Sequence, residues 1–149
     1  MIEVILSQIV ISETQDSQII VLKEKHGNRS FPIVIGFYEA AAIDRNVKEI
    51  KTIRPLTHTL LADVIKSLNG TLEKIVITEL KDSTFHAKLV IRQNSSFVEV
   101  DSRPSDAIAI AVGEKSPIFV EEAVLDEVCK YTIPEETKEE GPEEEIDEE

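Results

Sequence analysis

The stretch TFHAKLVIRQNSSFVEVDSRPSDAIAIAV, residues 84–112, decides the kind of fold that this chain can adopt. Apolar and polar side chains alternate over 84–93, which predicts a strand in a sheet with one buried face. The residues Asn94-Ser95-Ser96 indicate a turn into a further strand at 97–102. The segment Ala107–Val112 is apolar on every side, which predicts a short helix buried between layers. The stretch therefore predicts one unit that combines strands and helices.

The chain on both sides of this stretch also combines strand patterns with helix patterns. Apolar alternation between turn residues predicts further strands at 2–11, 17–25, 30–35, 72–81 and 117–120. Helical spacing of apolar residues predicts helices at 37–49, 58–69 and 121–130. Pro32 cannot donate a hydrogen bond to a neighbouring strand, so the strand at 30–35 should lie at a sheet edge. The sequence itself shows no internal repeat.

The helix predicted at 58–69 has recognisable ends and one apolar face. Thr57 is the candidate N-cap, and Gly70 is the candidate residue that ends the helix. The apolar face consists of Leu61, Val64, Ile65 and Leu68.

Length and composition limit the class of protein. The 149 residues are 42% hydrophobic, enough for one domain with its own core. The single cysteine, Cys129, excludes an internal disulfide and a cysteine-based zinc site, and a cytoplasmic protein is expected. No apolar run is long enough to cross a membrane, and the N-terminus lacks the basic region of a secretory signal. The 30% of charged residues and the excess of isoleucine over leucine favour a thermophilic source.

The net charge of −13 is unevenly distributed. Residues 135–149 contain ten acidic residues and one lysine, a net −9, so residues 1–134 carry only −4. We therefore predict one domain at 1–134 and an acidic tail at 135–149. The tail has too little apolar content to offset its ordering entropy, which predicts disorder. The domain lacks the basic character of most nucleic-acid-binding proteins, so any affinity for long polymers should be modest.

Glu39 is the first of several polar residues in apolar surroundings. It lies four residues before Ile43 and shares the inward face of the helix predicted at 37–49. A carboxylate in the first helical turn is favoured by the helix dipole. A partly buried charge also needs a partner. A structural ion pair with an arginine is one explanation, and a functional carboxylate is the other.

The segment Arg54-Pro55-Leu56-Thr57-His58 places an imidazole at the start of a helix. Such a histidine can act as a general acid, a general base or a metal ligand near neutral pH. It can equally be a local hydrogen-bonding group with no chemical role, and the segment alone leaves both readings open.

The segment Asp101-Ser102-Arg103-Pro104-Ser105-Asp106 concentrates polar groups between a strand and the buried helix. Two carboxylates can hold a divalent cation through oxygen ligands. Arg103 can bind a phosphate with two parallel hydrogen bonds. A structural explanation is also open, in which Ser102 or Ser105 caps the helix, Asp106 interacts with the helix dipole and Arg103 pairs with Asp101.

Taken together, these segments resemble the bifunctional nuclease family of small bacterial and plant domains. The matching stretches, in the family's order and spacing, are FPIVIGFYEAAAI (31–43), RPLTHTLLADVIKSLNG (54–70), TFHAKLVI (84–91), VDSRPSDAIAIAV (100–112) and SPIFVEEAVLDE (116–127). They cover nearly all of residues 1–134. An RPLTH segment followed by DSRPSDAIAIA is a specific combination, whereas an isolated Arg-Pro pair would not be.

The resemblance implies an α+β fold, a single domain with a mixed, strongly curved β-sheet packed against three to four helices. It also implies a homodimer and, through plant members, an activity that degrades both RNA and DNA. The residues that match the family's recurrent polar positions are Glu39, Arg54, Thr57, His58, Asp101, Arg103, Ser105 and Asp106. The family usually has aspartate directly after the histidine, but this chain has Thr59, which implies weakened activity if that aspartate takes part. It also lacks the C-terminal repair-protein motif of some relatives.

Two functions from different classes follow. In the first, a nuclease, His58, Asp101, Asp106 and Glu39 are catalytic, and Asp101, Asp106 and Glu39 hold Mg²⁺ or Mn²⁺. Arg54, Arg103, Thr57 and Ser105 then bind the phosphate of an RNA or DNA substrate. In the second, a non-catalytic ligand-binding or scaffold protein, Arg54 and Arg103 neutralise Glu39 and Asp106. Convergence of these groups on an open cleft favours the nuclease, and mutual burial favours the scaffold.

Overall fold

The computed structural model describes residues 1–130 of the chain, so the predicted acidic tail lies outside the described residues. Every predicted strand and helix up to residue 130 is present, with ends shifted by a few residues. The strands are β1 (Ile2–Val10), β2 (Ser17–Glu24), β3 (Ser30–Gly36), β4 (Gly70–Lys81), β5 (Thr84–Gln93), β6 (Ser96–Ser102) and β7 (Ile118–Val120). The helices are α1 (Phe37–Val47), α2 (Thr57–Ser67), α3 (Pro104–Glu114) and α4 (Glu122–Cys129).

All seven strands form one sheet in the order β3-β2-β1-β7-β4-β5-β6. The pair β4 and β7 is parallel and the others are antiparallel, which makes the sheet mixed, as expected. β3 is an edge strand, as Pro32 predicted. The order of elements contains a repeat, although the residues themselves show none: three antiparallel strands lead into a helix twice, β1–β3 into α1 and β4–β6 into α3.

Strong curvature of the sheet is visible in a contact between distant strands. Phe31 on β3 and Phe85 on β5 stack with their ring centroids 5.9 Å apart. These strands are first and sixth in the sheet order, so a flat sheet would separate them by about 24 Å, five spacings between strands. The register also shifts within β1 and twice within β4, and such bulges bend a strand. The curved α+β sheet implied by the resemblance is therefore confirmed.

The core lies inside this curve, around α3. Residues Ala107 to Ala111 are all buried, which confirms the prediction of a helix enclosed between layers. Because consecutive residues of α3 face different neighbours, the helix contacts α1, α2 and the strands β4 and β5. The small alanine side chains of α3 allow these neighbouring elements to approach it closely. This packing brings the N-terminal ends of α1, α2 and α3 into one region.

The ends of α2 differ from the prediction, and its apolar face is largely uncovered. Leu56 is the N-cap, with no side-chain hydrogen bond, and Thr57 is the first helical residue. Asn69, with φ of 61°, takes the left-handed position after the helix, because β4 already begins at Gly70. Only Ala62 of α2 is buried, whereas the predicted apolar face is mostly exposed: Leu61 by 42%, Val64 by 43% and Leu68 by 63%. No helix within residues 1–130 is long and apolar enough to cross a membrane.

Candidate active site

Glu39 lies at the third position of α1, directly after the edge strand β3. Gly36 precedes the helix, and a Cβ atom there would overlap Glu39 Oε2, so glycine leaves room for the carboxylate to fold back over the helix start. The side chain of Glu39 is 19% exposed. A carboxylate at this position is stabilised by the N-terminal end of the helix dipole.

Asp106 occupies the corresponding third position of α3, and Arg103 is the N-cap residue of the same helix. Pro104 at the first position has no N–H to leave unpaired and fixes the entry into the helix. Arg103 Nε donates to Asp106 Oδ2 at 2.8 Å, and its Nη2 contacts Asp106 Oδ1 at 3.1 Å. Nη2 also donates to Glu39 Oε1 at 3.0 Å. One guanidinium therefore links the carboxylates of two helices.

His58, in the first turn of α2, completes the group. Its Nε2 lies 2.8 Å from Asp106 Oδ1, and the imidazole is 18% exposed. Glu39, Arg103, Asp106 and His58 thus form one continuous chain of hydrogen bonds, which we call the Asp106 network. The network draws on all three helices that meet around the core.

The charges in the network favour an ionised Asp106. Burial raises the pKa of Asp106, but hydrogen bonds from Arg103 and His58 outweigh burial and hold that pKa below its ordinary value. The hydrogen bond with Asp106 in turn raises the pKa of Arg103. A carboxylate that stays charged fixes the orientation of the imidazole. This arrangement suits proton transfer by His58.

The network is reached from solvent through Arg103, whose side chain is 65% exposed. Asp106 is 27% exposed and lies behind this guanidinium. The carboxylates are therefore neither open in a cleft nor sealed in the core. Arg103 is the group that an approaching phosphate would meet.

The remaining predicted site residues do not join the Asp106 network. Asp101 lies exposed on the edge strand β6, opposite Lys88 of β5, and makes no ion pair within residues 1–130. Arg54 is exposed in the segment before α2, where its carbonyl oxygen accepts a hydrogen bond from Thr52. Thr57 is exposed, whereas Ser105 is buried, 7% exposed, in the first turn of α3. The structure pairs Arg103 with Glu39 and Asp106, and not with Asp101.

Within the described part of the chain, no three histidine, cysteine, aspartate or glutamate side chains are grouped closely enough to hold a metal ion. Glu39 and Asp106 both contact Arg103, which already balances part of their charge. The residues present therefore do not form a prepared three-ligand metal site.

Comparison with known proteins agrees with this arrangement of segments. The family model of the bifunctional nuclease domain matches residues 20–132 of this chain, which include the whole Asp106 network. The chain belongs to the bifunctional nuclease domain family. It is also 40% identical over 139 residues to two uncharacterized proteins of Mycobacterium tuberculosis, MT1877 of strain CDC 1551 / Oshkosh and Rv1829 of strain H37Rv. Each alignment covers 93% of this chain and 82% of the relative.

Sequence reasoning missed a cavity of this bifunctional nuclease domain. It has a volume of about 640 Å³ and lies between the end of α1, the segment before α2, the first half of α2 and the end of α3. His58 is the one member of the Asp106 network that lines it. The charged lining includes Arg45 and Lys51, which carry no motif and come from separate segments. No local pattern could have joined them before the fold was known.

Proposed function

We propose that this bifunctional nuclease domain protein hydrolyses phosphodiester bonds in RNA and DNA, with the Asp106 network as its catalytic centre. The observation that carries the proposal is the 2.8 Å contact between His58 Nε2 and Asp106 Oδ1, beside an exposed guanidinium. Family membership supports a nuclease-like protein, and the geometry suggests which residues act.

His58 is the proton-transferring group in this proposal. Hydrolysis needs a base that takes a proton from the attacking water and an acid that protonates the leaving oxygen. The Asp106 carboxylate, held ionised by Arg103 and His58, orients the imidazole. Asp106 therefore acts through His58, as a positioning residue.

Arg103 is the phosphate-binding group. Its guanidinium is exposed on one side and held by Asp106 and Glu39 on the other. A guanidinium fixed in this way can offer hydrogen bonds to a phosphate with little loss of side-chain entropy. Glu39 then sets the position of Arg103. Arg54, Thr57 and Ser105 keep their proposed roles in phosphate binding, but no contact joins their side chains to the network.

A requirement for Mg²⁺ or Mn²⁺ is a separate proposal. Glu39, Asp106 and Asp101 would supply carboxylate oxygens, and the cation would polarise the phosphate. Arg103 already binds two of these carboxylates, and Asp101 lies outside the network. No step above depends on the metal, and an assay with and without chelator decides the point.

A specific observation favours the scaffold alternative as a second candidate. Glu39, Arg103 and Asp106 are mutually paired, as expected if Arg103 merely neutralises two partly buried carboxylates. Arg54 makes no such pair within residues 1–130. Under this reading the network joins α1, α2 and α3, and the function lies on another surface.

An assay of cleavage separates the two candidates. Single-stranded RNA and DNA are incubated with purified protein in Mg²⁺, in Mn²⁺ and in chelator. We expect cleavage by the wild type and a loss of about 100-fold or more in His58→Ala, the range for removing a general acid or base. His26→Ala, at an exposed turn histidine, is the matched control and should cleave like the wild type. Cleavage that survives both His58→Ala and Asp106→Ala would eliminate the proposed centre.

The proposed partners are nucleic acid, as a modestly bound substrate, and a second copy of the chain. The net charge of −4 on residues 1–134 leaves binding of a polymer to a few placed cations. For the homodimer, the supporting observation is the exposed apolar surface of α2, formed by Leu60, Leu61, Val64 and Leu68. Such a surface is typical of contacts between subunits. The cytoplasmic location stays a prediction.

A further inference from the structure

The cavity beside His58 has the size of a small-molecule site. Its volume of about 640 Å³ lies within the range of roughly 300–1,000 Å³ that is usual for ligand pockets. One wall is held firmly, because Asn46 Nδ2 of α1 donates to the carbonyl oxygen of Ala109 in α3 at 2.7 Å. Gly113 permits this approach, since a Cβ atom there would lie 2.9 Å from Asn46 Nδ2.

The cavity contains cations that the described part of the protein does not neutralise. Lys115 pairs with Glu49 at 3.2 Å, and Glu114 pairs with Lys66 at 2.8 Å. Arg45 and Lys51 also line the cavity, and neither forms an ion pair with any residue between 1 and 130. Two cations therefore remain to attract an anionic group, against one lining carboxylate, Asp63, that forms no ion pair within residues 1–130.

The remaining lining includes apolar side chains beside the charged ones. Pro55 and Leu56 come from the segment before α2, and Ile110 and Val112 come from α3. Asp63 can accept hydrogen bonds from hydroxyl or amino groups. A ligand that matches these features has an anionic end, hydroxyl or amino groups and a part that packs on apolar side chains, which is the chemistry of a phosphorylated nucleoside.

We propose that this cavity binds a nucleoside monophosphate, with the phosphate at Arg45 and Lys51. The ligand is either a free nucleotide or the terminal nucleotide of a strand, because both present the same chemistry. The inference deepens the proposed nuclease function and rests on it for its biological meaning. His58 lines the cavity from its network side, so a terminal nucleotide held there would lie next to the proposed proton-transferring group.

The experiment measures equilibrium binding without divalent cation, so that it does not depend on hydrolysis. Adenosine monophosphate, adenosine and inorganic phosphate are titrated into the full chain by calorimetry, followed by short single-stranded oligonucleotides with and without a 5′-phosphate. We expect saturable binding of adenosine monophosphate and at least about tenfold weaker binding of adenosine, because the charge-assisted hydrogen bonds are lost. Tighter binding of the free nucleotide identifies a free ligand, and tighter binding of the 5′-phosphorylated strand identifies a strand end.

The matched variants test the assignment of the phosphate position. Arg45→Gln combined with Lys51→Gln should weaken binding of adenosine monophosphate by about tenfold or more. Lys48→Gln is the control, because Lys48 follows α1, pairs with Asp44 at 2.9 Å and does not line the cavity. Thermal unfolding confirms that each variant is folded.

The inference is overturned if the wild type shows no saturable nucleotide binding, or if the double variant binds as tightly as the wild type. Its failure is distinguishable from failure of the nuclease proposal. Nucleotide binding without cleavage would reject only the nuclease proposal. Cleavage without nucleotide binding at Arg45 and Lys51 would reject only the proposed nucleotide site.

Discussion

Glu39 and Asp106 occupy the same position in two different helices, the third residue of α1 and of α3, and the guanidinium of Arg103 binds both. Each helix follows three antiparallel strands, so the repeated element order places two carboxylates in equivalent surroundings. The curvature of the sheet brings these two helix starts together although β3 and β6 lie at opposite edges of the sheet. The network is therefore a consequence of the topology. Removal of the Arg103 side chain should leave both Glu39 and Asp106 without their shared partner.

Replacement of Arg103 by alanine should destabilise the protein. Two partly buried carboxylates would lose their shared partner, and we expect a loss of about 1–2 kcal/mol in the free energy of unfolding, less than for a buried pair because Arg103 is largely exposed. Urea denaturation measures the change. Arg92→Ala is the control, since the one ion pair of Arg92 among residues 1–130 is with exposed Glu73 at 3.8 Å. Equal stability of the two variants would show that the shared pairing contributes nothing.

Replacement of Asp106 by asparagine should change how stability depends on pH. The pKa of Asp106 is lowered from 3.8 in the folded protein, so the ionised carboxylate stabilises the fold above the unfolded value. That contribution is lost as the pH falls through the lowered pKa. At neutral pH we expect Asp106→Asn to be less stable by about 1–3 kcal/mol. The difference from the wild type should shrink towards about pH 2, as followed by urea denaturation across this range.

A difference that stays constant from neutral to acid pH would contradict the assignment of a lowered pKa to Asp106. Asp101→Asn is the matched control. Asp101 lies exposed outside the network, so its variant should follow the wild type at every pH.

Local patterns predicted the elements well because their causes are local. The alternation in 84–93 reflects one buried face of β5, and Pro32 marks an edge because it lacks an N–H. The Asp106 network was harder to predict. Asp101 and Asp106 are close in sequence, but the strand end and the helix start place them apart. Glu39 instead joins the network through Arg103, 64 residues away in sequence, and only the curved sheet creates that contact.

The apolar face of α2 shows a different limit. Helical spacing identified Leu61, Val64 and Leu68 as one face, and that periodicity is real. Periodicity shows that a face is apolar and does not show what covers it. The core inside the sheet is filled by α3, so α2 buries only Ala62 and leaves the rest exposed.

A charge placed on this face should disrupt the proposed homodimer. We expect the wild type to have twice the mass of one chain by light scattering. Val64→Lys should be monomeric, because a buried ammonium would lack a partner in a two-fold interface. Val34→Lys is the control, since Val34 is 64% exposed on β3, away from α2. A wild type that is monomeric at micromolar concentration, or a Val64→Lys variant that stays dimeric, would exclude α2 as the interface.

Replacement of Thr59 by aspartate should stabilise the protein. Thr59 is the third residue of α2, the position that carries Glu39 in α1 and Asp106 in α3, and α2 has no acidic residue in its first turn. The family resemblance implies aspartate at this position. Thr59→Asp should raise the free energy of unfolding by about 0.3–1 kcal/mol through the helix dipole. Ser67→Asp, at the opposite end of α2, should lower it.

The same variant tests whether the missing aspartate limits activity. Thr59 lines the cavity beside His58, so a carboxylate there would lie close to the proposed proton-transferring group. We expect Thr59→Asp to cleave single-stranded RNA and DNA faster than the wild type, whereas Ser67→Asp should leave the rate unchanged. A gain in stability without a gain in the cleavage rate would mean that the aspartate of relatives stabilises the helix and does not act in catalysis. A gain in both would place the third position of α2 in the catalytic centre, beside those of α1 and α3.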